Sequence, residues 1–184
     1  MGLAGRPDKR KIVAVIGSGG TLAEGQRENP FAVGAWIARR GHHLLTGGGS
    51  GVMEAAGEGF CSVDREGIAI GIIPAGKPPQ QYPNRWVELS IFTHLEGTDP
   101  WGPDSRNHIN MRSSDAVAAF PGGAGTQAEL ELALSRPRLH GKVIVCLSAG
   151  ERIGCLNEQE IRERGIAVTR DAQGVIRFLS DALE

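Results

Sequence analysis

Cysteine is scarce in this chain, with three residues, Cys61, Cys146 and Cys155, among 184. An odd number without paired metal-ligand spacing points to neither a disulfide framework nor a zinc site. The histidines are equally unpromising as ligands. His42 and His43 are adjacent, while His94, His108 and His140 stand alone, so no preformed metal site is expected. No segment approaches the ~18 to 20 continuous apolar residues that cross a bilayer, and the polar, basic start Met1 to Arg10 lacks the apolar centre of a signal peptide. Neither sign of charge is in excess: 20 basic residues against 21 acidic ones leave a net charge of −1, which gives no electrostatic reason to expect a nucleic acid polymer or an anionic membrane as partner. With 40% hydrophobic residues the chain has enough apolar content for one ordinary core. The expectation is a single cytoplasmic domain over residues 1–184, with 1–10 as a flexible start.

Glycine, in contrast, is abundant, at 27 residues, and it clusters behind apolar runs. Val13 to Ile16 leads into Gly17-Ser18-Gly19-Gly20, Leu44 to Thr46 into Gly47-Gly48-Gly49-Ser50-Gly51, and Ala116 to Phe120 into Pro121-Gly122-Gly123-Ala124-Gly125-Thr126. A short uninterrupted apolar run suits a strand buried on both faces. Strand-like stretches at 11–16, 43–46, 68–73, 115–120 and 142–147, with additional ones at 87–92 and 166–169, alternate with helical patterns at 30–40, 52–60, 106–113, 125–134 and 172–183. The pattern predicts a three-layer α/β domain, Rossmann-like and doubly wound, with a mostly parallel sheet of order 3-2-1-4-5 and additional short strands. In that order the carboxyl ends of the first, second and fourth strands meet where the winding reverses, which is where such folds bind ligands.

The third loop is the most specific. A strand, a glycine turn and a helix start gather free backbone amides at one point, and glycine lets an anion approach the backbone closely. The alternatives among phosphate-binding chemistries are limited by what the loops lack. A dinucleotide fingerprint needs glycine where Leu22 stands, and a nucleoside triphosphate loop needs a lysine that none of the three loops contains. Two charged residues flank the third loop: Arg106, at the start of the helix before the fourth main strand, and Glu129, inside the helix after it. Arginine offers a planar fork for phosphate, and the carboxylate can hold a water or a sugar hydroxyl. The plainer reading makes Arg106 half of a surface ion pair and Glu129 a first-turn carboxylate favoured by the helix dipole. Trp101, in the irregular segment 93–104, is read either as a stacking platform or as a cap on the core.

Pro121-Gly122-Gly123-Ala124-Gly125-Thr126-Gln127-Ala128-Glu129 resembles the signature Pro-Gly-Gly-x-Gly-Thr-x-x-Glu of the LOG (lonely guy) family, also known as possible lysine decarboxylases, and the spacing back to Arg106 is similar to that of the family's catalytic arginine. Ser105 to Asn110, followed by Ser113-Ser114-Asp115, looks closer to a sister group that includes the molybdenum cofactor carrier proteins. Asn107 and Asn110 stand where LOG enzymes usually carry lysine and methionine. The resemblance implies a Rossmann-like fold, a homodimer or higher homo-oligomer, a small phosphorylated ligand (a nucleoside monophosphate or a pterin) and one of two activities. The first is a nucleoside 5′-monophosphate phosphoribohydrolase, with Arg106 and Glu129 catalytic and Gly17, Ser18, Gly19, Gly47, Gly48, Gly49, Gly122, Gly123, Gly125 and Thr126 lining the nucleotide site. Breaking the glycosidic bond builds positive charge on the sugar, which a fixed carboxylate stabilises, and no cofactor is required. The second is a carrier that holds molybdenum cofactor as a bound ligand without turnover.

Overall fold

The structure is a computed structural model of one chain, in which residues 10–76, 82–96 and 99–184 are described. The segment 1–10 expected as a flexible start therefore lies outside the described residues, Arg10 apart. Seven strands, β1 (Ile12–Ile16), β2 (His43–Thr46), β3 (Ala69–Ile73), β4 (Leu89–Phe92), β5 (Ala116–Ala119), β6 (Val143–Cys146) and β7 (Ala167–Thr169), form one sheet in the order β4-β3-β2-β1-β5-β6-β7. Every neighbouring pair is parallel. The five main strands β1, β2, β3, β5 and β6 thus hold the expected 3-2-1-4-5 arrangement, and the two additional strands β4 and β7 extend it at the edges. The sheet is wholly rather than mostly parallel.

Parallel strands need helical crossovers on both faces, and the alternation along each strand sorts side chains between the two layers. Val13 and Val15 of β1 pack with Val33, Ile37, Phe60, Val175 and Leu179, beneath α1 (Glu28–Arg39), α2 (Val52–Cys61) and α6 (Ala172–Leu183). Ala14 and Ile16 turn the other way, onto Met111, Leu130 and Leu139, beneath α3 (Asn107–Ser113) and α4 (Ala124–Leu134). On the first face α1 and α2 approach backbone to backbone. A Cβ at Gly34 would collide with the Ala56 carbonyl, and one at Gly59 with the Phe31 carbonyl.

Two elements were not expected from the sequence pattern. α5 (Glu158–Glu163) is six residues long, too short for apolar periodicity to register. It is set by a capping box, in which the Glu160 amide donates to Asn157 Oδ1 at 3.0 Å and the Asn157 amide donates to Glu160 Oε2 at 2.8 Å. The other is a 3-10 turn at Pro137–Leu139. At the amino edge of the sheet Asp115 ties β1 to β5. Its Oδ2 accepts the Ile12 amide at 2.9 Å, and its Oδ1 is paired with Arg138. Burial pushes the Asp115 carboxyl up, but the Ile12 amide and Arg138 outweigh it and hold the group below its ordinary value.

Candidate functional site

The carboxyl ends of β1, β2 and β5 do meet, and backbone hydrogen bonds hold their loops together. The Ser18 amide donates to the Pro121 carbonyl at 2.9 Å, the Val52 amide donates to the Ser18 carbonyl at 2.9 Å, and the Ser50 hydroxyl donates to the Gly19 carbonyl. Gly51, with φ of 67°, adopts a conformation that favours glycine, and a Cβ there would collide with the Ser18 and Gly20 carbonyls. A fourth segment props the third loop from outside. The Gly122 amide donates to the Arg152 carbonyl at 3.3 Å, and the Gly154 amide donates back to the Gly122 carbonyl at 2.7 Å. This contact from the loop after β6 escaped sequence reasoning because nothing local marks it.

These bonds redistribute the expected roles. The Gly122 amide, expected among those that hold a phosphate, is committed to the Arg152 carbonyl, and Ser18, expected to line the site, uses its amide on Pro121. Gly17 lies against the Val52 side chain, Gly48 against Ile73, and Gly49 against Met53 and Tyr82. These glycines admit the protein's own side chains rather than forming an open wall. Gly19 is exposed. Gly123, Ala124 and Gly125 are exposed at the start of α4, with open space where a Cβ would stand at Gly123 and Gly125. The first α4 backbone bond runs from the Gln127 amide to the Gly123 carbonyl, so the amides of Ala124, Gly125 and Thr126 have no partner among the described residues. They form the positive end of an 11-residue helix. Thr126 is buried, with its hydroxyl over Gly122.

Arg106 caps the start of α3 and reaches back across the sheet edge to β2, its guanidinium lying directly on Gly47, where any Cβ would collide with it. It is therefore not a surface residue: its side chain is 14% exposed, and Nη1 is buried without a hydrogen-bond partner. Glu129 lies in the second turn of α4, beyond the reach of a first-turn dipole effect, and is 7% exposed. The two side chains converge, with Arg106 Nη1 4.0 Å from Glu129 Oε1. That oxygen accepts a direct hydrogen bond at 2.7 Å from Asn110 Nδ2. Burial raises the Glu129 carboxyl above its ordinary value, opposed by the Arg106 charge and then by the Asn110 bond. In the sequence Asn110 stands out only through family likeness, as a departure from the LOG pattern and as part of the stretch Ser105 to Asn110 that looks closer to the carrier group. The signal that finds it is its position in α3 facing α4, which the sequence does not display.

Trp101 Nε1 donates to Glu131 Oε2 at 2.8 Å on another side of α4, and the residue is 43% exposed. Two cavities open at the same sheet edge on the α1 side. One of about 590 Å³ is bordered by Gly20, Ser50, Gly51 and Glu54, the other of about 450 Å³ by Gln26, Pro121, Ser148 and Glu151. Arg106 and Glu129 line neither. Among the described residues no three histidine, cysteine or acidic side chains come together to hold a metal ion, and no helix is long and apolar enough to cross a membrane.

Known proteins share this fold. A molybdenum cofactor binding protein from the phototrophic bacterium Rippkaea orientalis is 30% identical, with 96% of this chain and 99% of that one covered and a TM-score of 0.75. The molybdenum cofactor carrier protein of Chlamydomonas reinhardtii is 27% identical, with 95% and 99% covered and a TM-score of 0.72. An uncharacterised protein of Archaeoglobus fulgidus is 35% identical over 122 residues, 66% of this chain and 72% of that one. Residues 10–176 match the SLOG cluster4 family, and the chain belongs to it.

Proposed function

We propose that the protein binds a phosphorylated pterin of the molybdenum cofactor type as a carrier, with the terminal phosphate at the open start of α4. The amides of Ala124, Gly125 and Thr126 and the Thr126 hydroxyl would receive the phosphate, with Arg106 supplying the nearby positive charge. The observation that carries this reading is the state of Glu129. A carboxylate that aligns water for attack needs access to it, whereas this one is buried with Oε1 bonded to Asn110. Likeness to cofactor-binding proteins over nearly the whole of both chains supports the same choice. Protein purified from a cofactor-producing host should carry molybdenum and yield a fluorescent oxidised pterin. Metal-free protein without pterin from such a host would overturn the proposal.

Phosphoribohydrolase activity is the second reading, favoured by one observation: Arg106 and Glu129 stand within 4.0 Å of each other beside the glycine loops, and Glu129 Oε2 has no hydrogen bond among the described residues. Incubation with AMP then releases adenine and ribose 5-phosphate, and Glu129→Gln abolishes release. No release by the unaltered protein across a panel of nucleoside monophosphates removes this reading. The homodimer or higher homo-oligomer implied by the LOG resemblance belongs to both readings, and light scattering of the purified protein tests it.

A further inference from the structure

Asn110 is 1% exposed, and its two amide atoms are treated very differently: Nδ2 donates to Glu129 Oε1 at 2.7 Å, while Oδ1 is buried with no partner. Arg106 shows the complementary condition. Its Nη1 is buried without a partner 4.0 Å from the same carboxylate oxygen, and the guanidinium makes no hydrogen bond to any described residue. A buried guanidinium beside a carboxylate ordinarily closes to a charge-assisted bond of about 2.7–2.9 Å, because an unpaired buried charge is costly. Here the oxygen nearest the arginine accepts from an amide instead, and the guanidinium stands 4.0 Å off. Asn110 is itself fixed on α3, where the Ser114 hydroxyl donates to its backbone carbonyl at 2.7 Å. Gly47 completes the arrangement by leaving room for the guanidinium to lie flat at the end of β2.

Resting on the reading of this edge as the seat of a phosphorylated ligand, we propose that Asn110 is a positioning residue: its side-chain amide draws the Glu129 carboxylate off Arg106 and so keeps the guanidinium open to an oxygen of the incoming ligand. The guanidinium is then kept available by a competition between two donors for one carboxylate oxygen. Removing the weaker, neutral donor hands the carboxylate to the arginine and withdraws both from the ligand.

The test uses Asn110→Leu, which keeps the volume of the side chain and removes its amide, with ribose 5-phosphate as a probe that carries a terminal phosphate and is not consumed. In a crystal structure of the variant the Arg106 Nη1 to Glu129 Oε1 separation should fall from 4.0 Å to hydrogen-bond distance. Calorimetry should show affinity for ribose 5-phosphate weakened at least about tenfold. Asn110→Leu combined with Glu129→Gln should recover most of that loss, since the neutral amide cannot hold the guanidinium as an ion pair. A role confined to fold stability predicts no closure of the Arg106 to Glu129 separation. A separation that stays open in the single variant overturns the proposal, as does closure with unchanged affinity or a double variant that recovers nothing. Unaltered protein that fails to bind the probe counts against the ligand reading alone, because the crystallographic separation still decides the positioning role. Should Asn110→Leu not fold, Asn110→Ala is judged by the same distance and affinity.

Discussion

Two buried carboxylates stand at opposite edges of one sheet, and their surroundings could hardly differ more. Asp115, at the amino edge, accepts the Ile12 amide and pairs with Arg138, so that its charge is well met. Glu129, at the carboxyl edge, has one hydrogen bond from a neutral amide and an arginine held 4.0 Å off. The first sits below its ordinary carboxyl value and the second above it. A carboxylate that fastens strands is surrounded by donors. One that stays under-satisfied, beside a guanidinium with a buried unpaired nitrogen, is not placed to fasten strands.

The largest effect expected from breaking this contrast is at the amino edge. Asp115→Ala leaves the Ile12 amide without its acceptor where β1 enters the sheet, and losing a hydrogen bond to a charged group while stranding a donor costs about 2–3 kcal/mol. Denaturant unfolding should show that loss at neutral pH, with ligand binding in the folded fraction unchanged. The folded carboxyl value lies below the unfolded one, so the stabilisation is present above the unfolded value and disappears as pH falls through the folded value. The gap between variant and unaltered protein should therefore narrow in acid. A gap that is constant with pH would mean that Asp115 contributes through packing and not through its charge.

Glu129→Gln should behave oppositely. Because the folded carboxyl value is raised, the folded state keeps its proton to higher pH than the unfolded chain, and stability falls as pH rises through the folded value. Substitution by the neutral isostere removes that cost. Thermal midpoints should place the variant above the unaltered protein at neutral pH, by less than the Asp115→Ala change, with the advantage vanishing below the usual carboxyl range. A variant less stable at neutral pH would show that the Arg106 charge outweighs burial and that the two edges are alike.

Much of this contrast was legible in the residues. Uninterrupted apolar runs before Gly17, Gly47 and Pro121 were enough to place three loops at one sheet edge, because parallel topology leaves few other arrangements. Arg106 and Glu129 were legible through their spacing around β5 and through the LOG resemblance. What stayed hidden depends on partners distant in sequence. The bond from Ile12 to Asp115 spans 103 positions, and the prop from Arg152 and Gly154 to Gly122 joins loops after different strands. Which amides remain free at a glycine loop depends on such bonds, and the sequence does not show that the Gly122 amide goes to the Arg152 carbonyl. Asn110 was hidden for a related reason. Its meaning lies in which face of a seven-residue helix meets α4, and seven residues carry too little periodicity to reveal that.

The smallest expected effect belongs to Trp101, and it sharpens the comparison by asking how far the open region extends. The indole N–H donates to Glu131, which also receives Gln127 Nε2 at 2.9 Å, so the carboxylate keeps a partner when the indole is lost. With the residue 43% exposed, Trp101→Phe should change stability by no more than about 0.5 kcal/mol. If the under-satisfied region is confined to Arg106, Asn110, Glu129 and the start of α4, affinity for ribose 5-phosphate and for a phosphorylated pterin should both stay within about twofold, since phenylalanine removes only a bond made on another side of that helix. Loss of pterin affinity by about tenfold, with ribose 5-phosphate unaffected, would instead place a ring ligand against the indole. The site would then run from the phosphate end of α4 across to the segment that carries Trp101, and the saturated amino edge would face a far longer open one.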